Sequence, residues 1–195
     1  EMKLFVFSDA KEWDSIMKSG AVRVVPVAEA QIIRRKCPDR ILGSRMVRRF
    51  KPQEGLGPAP EAKSRWCVQG HHDPDGGDLQ VYAPTPQAES LMLTLQAVAS
   101  LGWTLEVADA KNAFCQSNRL TRPAGAIFCE PCQGLQLAPG ELVELVAPVY
   151  GLNDAPLLWH RTLTEHLASI GYEKSLLEPC LWVLRGSDDA PRSII

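Results

Sequence analysis

The sequence predicts an α+β fold, and three observations predict it. Segments with helical spacing of apolar residues are interspersed irregularly with segments of strand-like alternation, and no internal repeat or low-complexity stretch interrupts them. The composition, 45% hydrophobic and 23% charged over 195 residues, is that of a chain able to bury a core. No run of 18 apolar residues occurs, and Glu1-Met2-Lys3-Leu4 does not open a basic-then-apolar export signal. Membrane-spanning and secreted classes are therefore set aside, and an intracellular protein with reduced thiols is expected, either one domain or a piece of a larger one.

Residues 8–20 read as a helix, with Ser8 or Asp9 able to cap it, Trp13, Ile16 and Met17 on one face, and Gly20 ending it. Val22-Arg23-Val24-Val25-Pro26 follows as a short strand. Residues 45–51 and 63–69 mix basic and apolar residues in two strand-like runs, and the Pro/Gly-rich turn 52–60 between them makes a basic β-hairpin. An acidic loop, 73–78, and the proline-extended Ala83-Pro84-Thr85-Pro86 lead to the strongest helical pattern, Glu89–Leu101, which Gly102 stops. Trp103–Asp109 alternates like a strand and would deliver Asp109 at its C-terminal end. Strands around 126–129 and 142–145, a helix from about 156 to 170 and a strand over 180–184 complete the order. Asp188-Asp189 falls in a polar turn, after which Arg192–Ile195 begins another strand.

The formal net charge of −2 conceals an asymmetry. Between Arg34 and Lys51 stand eight basic residues and the single acid Asp39, so that segment carries +7 and the remainder −9. Such a block, with Arg45, Arg48, Arg49 and Lys51 in the hairpin, is an electrostatic footprint for a polyanion, most simply nucleic acid. The competing reading is a solvated strand face. Cys129-Glu-Pro-Cys132 is a C-x-x-C, but no second ligand pair accompanies it to make a zinc site.

The blocks Lys63-Ser-Arg-Trp-Cys-Val-Gln-Gly70, Val107-Ala-Asp-Ala-Lys-Asn-Ala-Phe114 and Val149-Tyr-Gly-Leu-Asn-Asp-Ala-Pro156 with Trp159, followed by Glu178-Pro-Cys-Leu181, stand in an order that resembles the reverse transcriptase of copia-type long-terminal-repeat retrotransposons. The resemblance implies a right-hand polymerase. Residues 1–30 would lead into it, 31–84 and 116–151 would form fingers, and 85–115 and 152–195 an incomplete palm. It implies RNA template, DNA primer and dNTPs as partners, no membrane, and a location in cytoplasmic virus-like particles or the nucleus. On the same resemblance, the rest of a Pol polyprotein is expected to lie outside this chain. By the same resemblance Lys63 and Arg65 bind the triphosphate, a task suited to a bidentate guanidinium. Asp109 with the carbonyl of Ala110 holds Mg²⁺ in a two-metal nucleotidyl transfer, Mg²⁺ being a hard ion that takes oxygen ligands. By the resemblance Phe114 would floor the sugar as a gate against a 2′-hydroxyl, and Tyr150 and Gly151 would meet the incoming nucleotide and the template base.

Two departures from the family pattern qualify this. Asn153-Asp154 replaces the usual Lys-Gln, exchanging a cation for an anion beside a phosphate-rich site. No Y-x-D-D follows, and the chain reads as stopping about a strand short of one. The expectation is therefore a reverse transcriptase domain that is inactive as it stands. The alternatives are a non-catalytic nucleic-acid-binding remnant using 34–51 and 63–65, and a metal- or protein-interaction module using Cys129 and Cys132.

Overall fold

The computed structural model describes residues 2–51 and 61–195; the turn expected at 52–60 lies outside the described residues. It shows the mixed α+β architecture. Helix α1 spans Val6–Ser19 behind a 3₁₀ turn, Met2–Phe5, and ends at Gly20 with φ +73, a left-handed residue that glycine adopts without penalty. Strand β1, Val22–Val25, follows. Pro26 then starts a helix that the sequence reading missed, α2 at Val27–Lys36, whose buried stripe is only Ala30 and Ile33. Strand β2, Ile41–Leu42, leads into the hairpin of β3, Ser44–Lys51, and β4, Glu61–Val68. Helix α3 covers Ala88–Leu101, strands β5 and β6 cover Phe128–Cys129 and Leu142–Leu145, and α4 covers Ala155–Ser169. Strands β7, Glu173–Lys174, β8, Trp182–Arg185, and β9, Pro191–Ile194, close the order.

The central sheet runs β1-β6-β5-β2, antiparallel except for the parallel pair β2 and β5. Its apolar face packs with α1 and the hairpin around Trp66, which is wholly buried and meets Trp13 edge-on at 5.6 Å. Ser8 and Asp9 do not cap α1, as the sequence had led one to expect: the cap is Phe5, with no side-chain bond. Their side chains turn sideways to the hairpin. The Ser64 amide donates to Ser8 Oγ at 2.7 Å, the Trp66 amide to Glu12 Oε1 at 3.3 Å, and the Val68 amide to the Tyr150 carbonyl at 2.8 Å. Three alternate amides along the outer edge of β4 are thereby satisfied, so α1 and the Tyr150 turn close an edge that would otherwise be left open.

The expected strand over 103–109 does not form. The segment has no regular secondary structure and, apart from the half-buried Trp103, is exposed, with no ladder partner among the described residues. Alternation prepares a strand with two faces, but a strand exists only where a neighbour supplies hydrogen bonds. Helix α3 likewise forms where its spacing predicts, yet none of its residues is buried. Its N-terminus is tethered instead by the buried Glu178, whose carboxylate accepts the Gln87 and Cys180 amides, each at 3.0 Å. Those amides hold the Glu178 carboxyl below its ordinary value. A depressed carboxylate adds stability above its unfolded pKa of about 4.3 and loses it as pH falls through the lower folded value. Glu178→Gln is expected to melt roughly 2–4 °C below the parent at pH 7, with the gap closing under acid conditions; thermal melts of both chains at the two pH values check this.

Candidate functional site

Register divides the basic hairpin between two faces. Arg45 stands opposite Cys67, Val47 opposite Arg65, Arg49 opposite Lys63 and Lys51 opposite Glu61. Because side chains alternate, these share one face, which carries Arg45, Arg49, Lys51, Lys63 and Arg65. Arg48 belongs to the other face with Ser64, Trp66 and Val68. There its guanidinium donates to both oxygens of the buried Asp9, at 2.7 Å from Nη2, and to the Gln133 carbonyl. Arg48 was expected to contact nucleic acid; instead it ties the hairpin to α1. The rest of the basic block also disperses. Arg34 forms a two-bond pair with Glu130, and Arg40 is buried, donating to the Gly125 and Ala126 carbonyls and to Asp75. The +7 segment is thus not one cationic surface, although the hairpin's outward face is.

That face runs into an aromatic cluster. The Arg65 guanidinium lies 4.2 Å above the Tyr150 ring centroid, and Tyr150 meets Phe114 at 5.0 Å. Phe114 is half-buried, in a 3₁₀ turn at Ala113–Gln116, and packs its inner side on the core. Burial pushes the Tyr150 phenol upward; Arg65 opposes that shift, and Cys115, Glu12 and, least of all, Asp109 add to it. Glu12 sits beneath Lys63 and Arg65, its carboxyl raised by burial and partly restored by the Trp66 amide and these two cations. No motif had drawn attention to Glu12, since a helical acid three residues after a candidate cap reads as an ordinary helix-start signal.

Tyr150 is held where the chain crosses β4. Gly151 has φ +99, and a Cβ there would overlap the Val68 carbonyl; one on Gly70 would overlap the Gly151 carbonyl, which accepts the Gly70 amide at 3.2 Å. Glycine at both positions is what this close approach requires. The anion expected to face the site, Asp154, does not face it. It is buried at the start of α4, and Arg122 donates to both of its oxygens, at 2.6 and 2.9 Å, while also binding Asp73 at 3.0 Å. Much of the acidic loop is consumed in the same way, Asp73 by Arg122 and Asp75 by Arg40.

Asp109 and Ala110 are exposed on the segment that leads into Phe114. One carboxylate and one carbonyl fall far short of the six oxygens of a Mg²⁺ shell, and no group of three metal-capable side chains occurs among the described residues. These residues fit one ligand position of a two-ion site, not the site. Cys129 is fully buried and its thiol is pushed upward by that burial, which opposes the thiolate a zinc ion needs. No helix of the described residues is long and apolar enough to cross a membrane.

Comparison with known proteins follows this geometry. Residues 32–193 match the family model described as reverse transcriptase (RNA-dependent DNA polymerase). The chain is 25% identical over 182 residues to the retrovirus-related Pol polyprotein from transposon TNT 1-94 of Nicotiana tabacum, covering 92% of the chain and 13% of that protein. It is 26% identical over 129 residues to the Pol polyprotein from transposon RE1 of Arabidopsis thaliana, covering 63% of the chain and 8% of the relative. The chain therefore spans a small part of the curated relatives it matches. These matches bear out the resemblance to copia-type retrotransposon reverse transcriptases. No solved structure matches.

Proposed function

Since the chain belongs to the reverse transcriptase (RNA-dependent DNA polymerase) family, we propose that it supplies the nucleotide-gripping and strand-gripping part of an RNA-directed DNA polymerase. The observation that carries this reading is the Arg65–Tyr150–Phe114 cluster at the end of a five-cation face, with Asp109 five residues before Phe114 along the chain. In this reading the hairpin and the 116–151 region act as fingers, and α3, α4 and β7–β9 belong to the palm.

Each side chain then has a task that follows from its setting. Arg65 presents a fixed, always-charged fork to the triphosphate, oriented by its packing on Tyr150. Lys63, on the same face, adds a point charge. Phe114 offers a flat apolar edge to the sugar, and Gly151 lets backbone rather than side chain face a base. Asp109 contributes one oxygen ligand toward Mg²⁺, which when bound would activate the primer hydroxyl and neutralise the triphosphate. The remaining ligands would be further carboxylates brought beside Asp109, and in this reading the residues described bind nucleotide and nucleic acid. RNA template, DNA primer and dNTPs are its partners in this scheme.

The test is a calorimetric titration of the chain with Mg²⁺-dNTP in the presence of primer–template. Arg65→Ala is expected to weaken nucleotide binding by roughly tenfold to a hundredfold, the scale of a lost charged hydrogen-bond pair. Arg65→Lys should recover only part, because the planar fork is gone. Nucleotide affinity that ignores both substitutions would overturn the assignment.

A further inference from the structure

A second groove lies outside the Tyr150 cluster. Between α1, the start of β4 and Lys111-Asn112 is a cleft of about 520 Å³. Its α1 wall is the stripe Phe7, Lys11, Ser15 and Lys18, successive positions along one helical face, with Leu4 of the preceding 3₁₀ turn at its end, so the cleft runs most of the length of a 14-residue helix, roughly 20 Å. This helix precedes the residues matched by the family model, 32–193, and nothing said so far about nucleotide binding uses it.

The charges around the cleft favour an anion. Four lysines line it: Lys11, Lys18, Lys63 and Lys111. Of the acids, Asp14 is neutralised by Lys18 at 2.6 Å, and Glu12 is turned to the Trp66 amide with its carboxyl raised by burial. Glu61, opposite Lys51 in register but not ion-paired with it among the described pairs, stays as one acid at the rim. Lys11, Lys63 and Lys111 are left to face the space. At the other end two apolar side chains stand out of the core, Phe7 at 80% exposure and Leu4 at 63%. Phe7 thus presents an uncovered aromatic face beside the lysines. A cationic track with an aromatic platform is the combination that holds single-stranded nucleic acid, phosphates on the lysines and a base on the ring. The track is also continuous with the hairpin face at Lys63, and Lys111 is two residues from Asp109.

We infer that the α1–β4 groove binds a single-stranded nucleic-acid segment, engaging Phe7 and Lys11 apart from any duplex on the hairpin. The inference rests on the reading above that the chain grips nucleic acid. It is tested by fluorescence anisotropy of the full chain with a labelled single-stranded oligonucleotide and with a blunt duplex of equal length, each across a salt series. Lys11→Glu should weaken single-strand binding about tenfold and reduce the log–log salt slope by about 1. Phe7→Ala should weaken it about tenfold with the slope unchanged, because stacking releases no counterions. Both should leave blunt-duplex affinity and the melting temperature as in the parent, since the two side chains are exposed. Single-strand binding that survives both substitutions, or an equal loss on the duplex, overturns the groove alone. A groove occupied by a peptide rather than a polyanion would show in single-strand affinity independent of salt, and that also overturns it. A parent chain that binds neither strand nor duplex overturns the nucleic-acid reading beneath it.

Discussion

Replacing Arg122 with alanine is expected to remove about 3–5 kcal/mol of folding stability, a large fraction of the roughly 5–15 kcal/mol that holds a domain together. The side chains of Arg122, Asp73 and Asp154 are 2%, 2% and 5% exposed, so all three charges have left water. Burial alone works against the guanidinium; the hydrogen bonds and field of Asp154 and Asp73 outweigh it and hold Arg122 firmly protonated. Removing it leaves two carboxylates buried together with no counter-charge, which is worse than having no ions there at all. The triple replacement Arg122→Met, Asp73→Leu, Asp154→Leu is accordingly expected to regain most of the loss. Asp154→Asn should be milder than Arg122→Ala, since Asp73 still serves the arginine. Urea midpoints of the four chains check the order: an Arg122→Ala chain within 1 kcal/mol of the parent, by the slope expected for this size, would show the triad to be idle. The triad also bears on the site. Asp73 lies three residues after Gly70, and Asp154 three after Gly151, so it clamps both chains just beyond the crossing that sets Tyr150. An apparent lapse from the family pattern at Asp154 is thus half of a buried pair whose other half is Arg122.

Which parts were legible in the sequence depended on the range over which each signal acts. Local periodicity closed by glycine was readable, so α1, α3 and the hairpin appear where the pattern puts them, with Gly20 and Gly102 as left-handed stops. Phe114 and Tyr150, which lie in the D-x-K-N-A-F and Y-G-L blocks, meet ring to ring. What failed needed knowledge of a distant partner. Trp103–Asp109 alternates well but has no strand beside it among the described residues. Ser8 and Asp9 looked like caps because a cap is the commonest local use of such residues, whereas here they answer the Ser64 amide and Arg48, more than 30 residues away in sequence. Helix α2 escaped notice because its basic C-terminal end, Arg34-Arg35-Lys36, was read as charge rather than as cations placed at a helix C-terminus. One failure was avoidable. Arg45, Arg49 and Lys51 share odd parity and Arg48 does not, so period-2 alternation alone could have set Arg48 apart.

That parity carries the largest effect expected on binding. Arg45→Ala, Arg49→Ala and Lys51→Ala together are expected to weaken primer–template affinity roughly a hundredfold at low salt and to flatten the log–log salt dependence by about 3, one unit for each phosphate contact removed. Their substitution should scarcely move the melting temperature. These three side chains are exposed, and none pairs with an acid among the described ion pairs. Arg48→Ala is the counterpart. It leaves Asp9 buried without its partner, so it should cost stability, and it should leave the salt slope where it was, because its guanidinium already serves Asp9 and the Gln133 carbonyl. The two variants differ in charge alone by two units, yet they separate two properties: on the proposed reading one changes the grip on phosphate, the other how α1 grips the hairpin. Anisotropy titrations across salt, with thermal melts of the same samples, decide it. If Arg48→Ala flattened the slope as steeply per charge as the triple variant, the division of the hairpin into a binding face and a packing face would be wrong, and the whole basic block would act as a diffuse field.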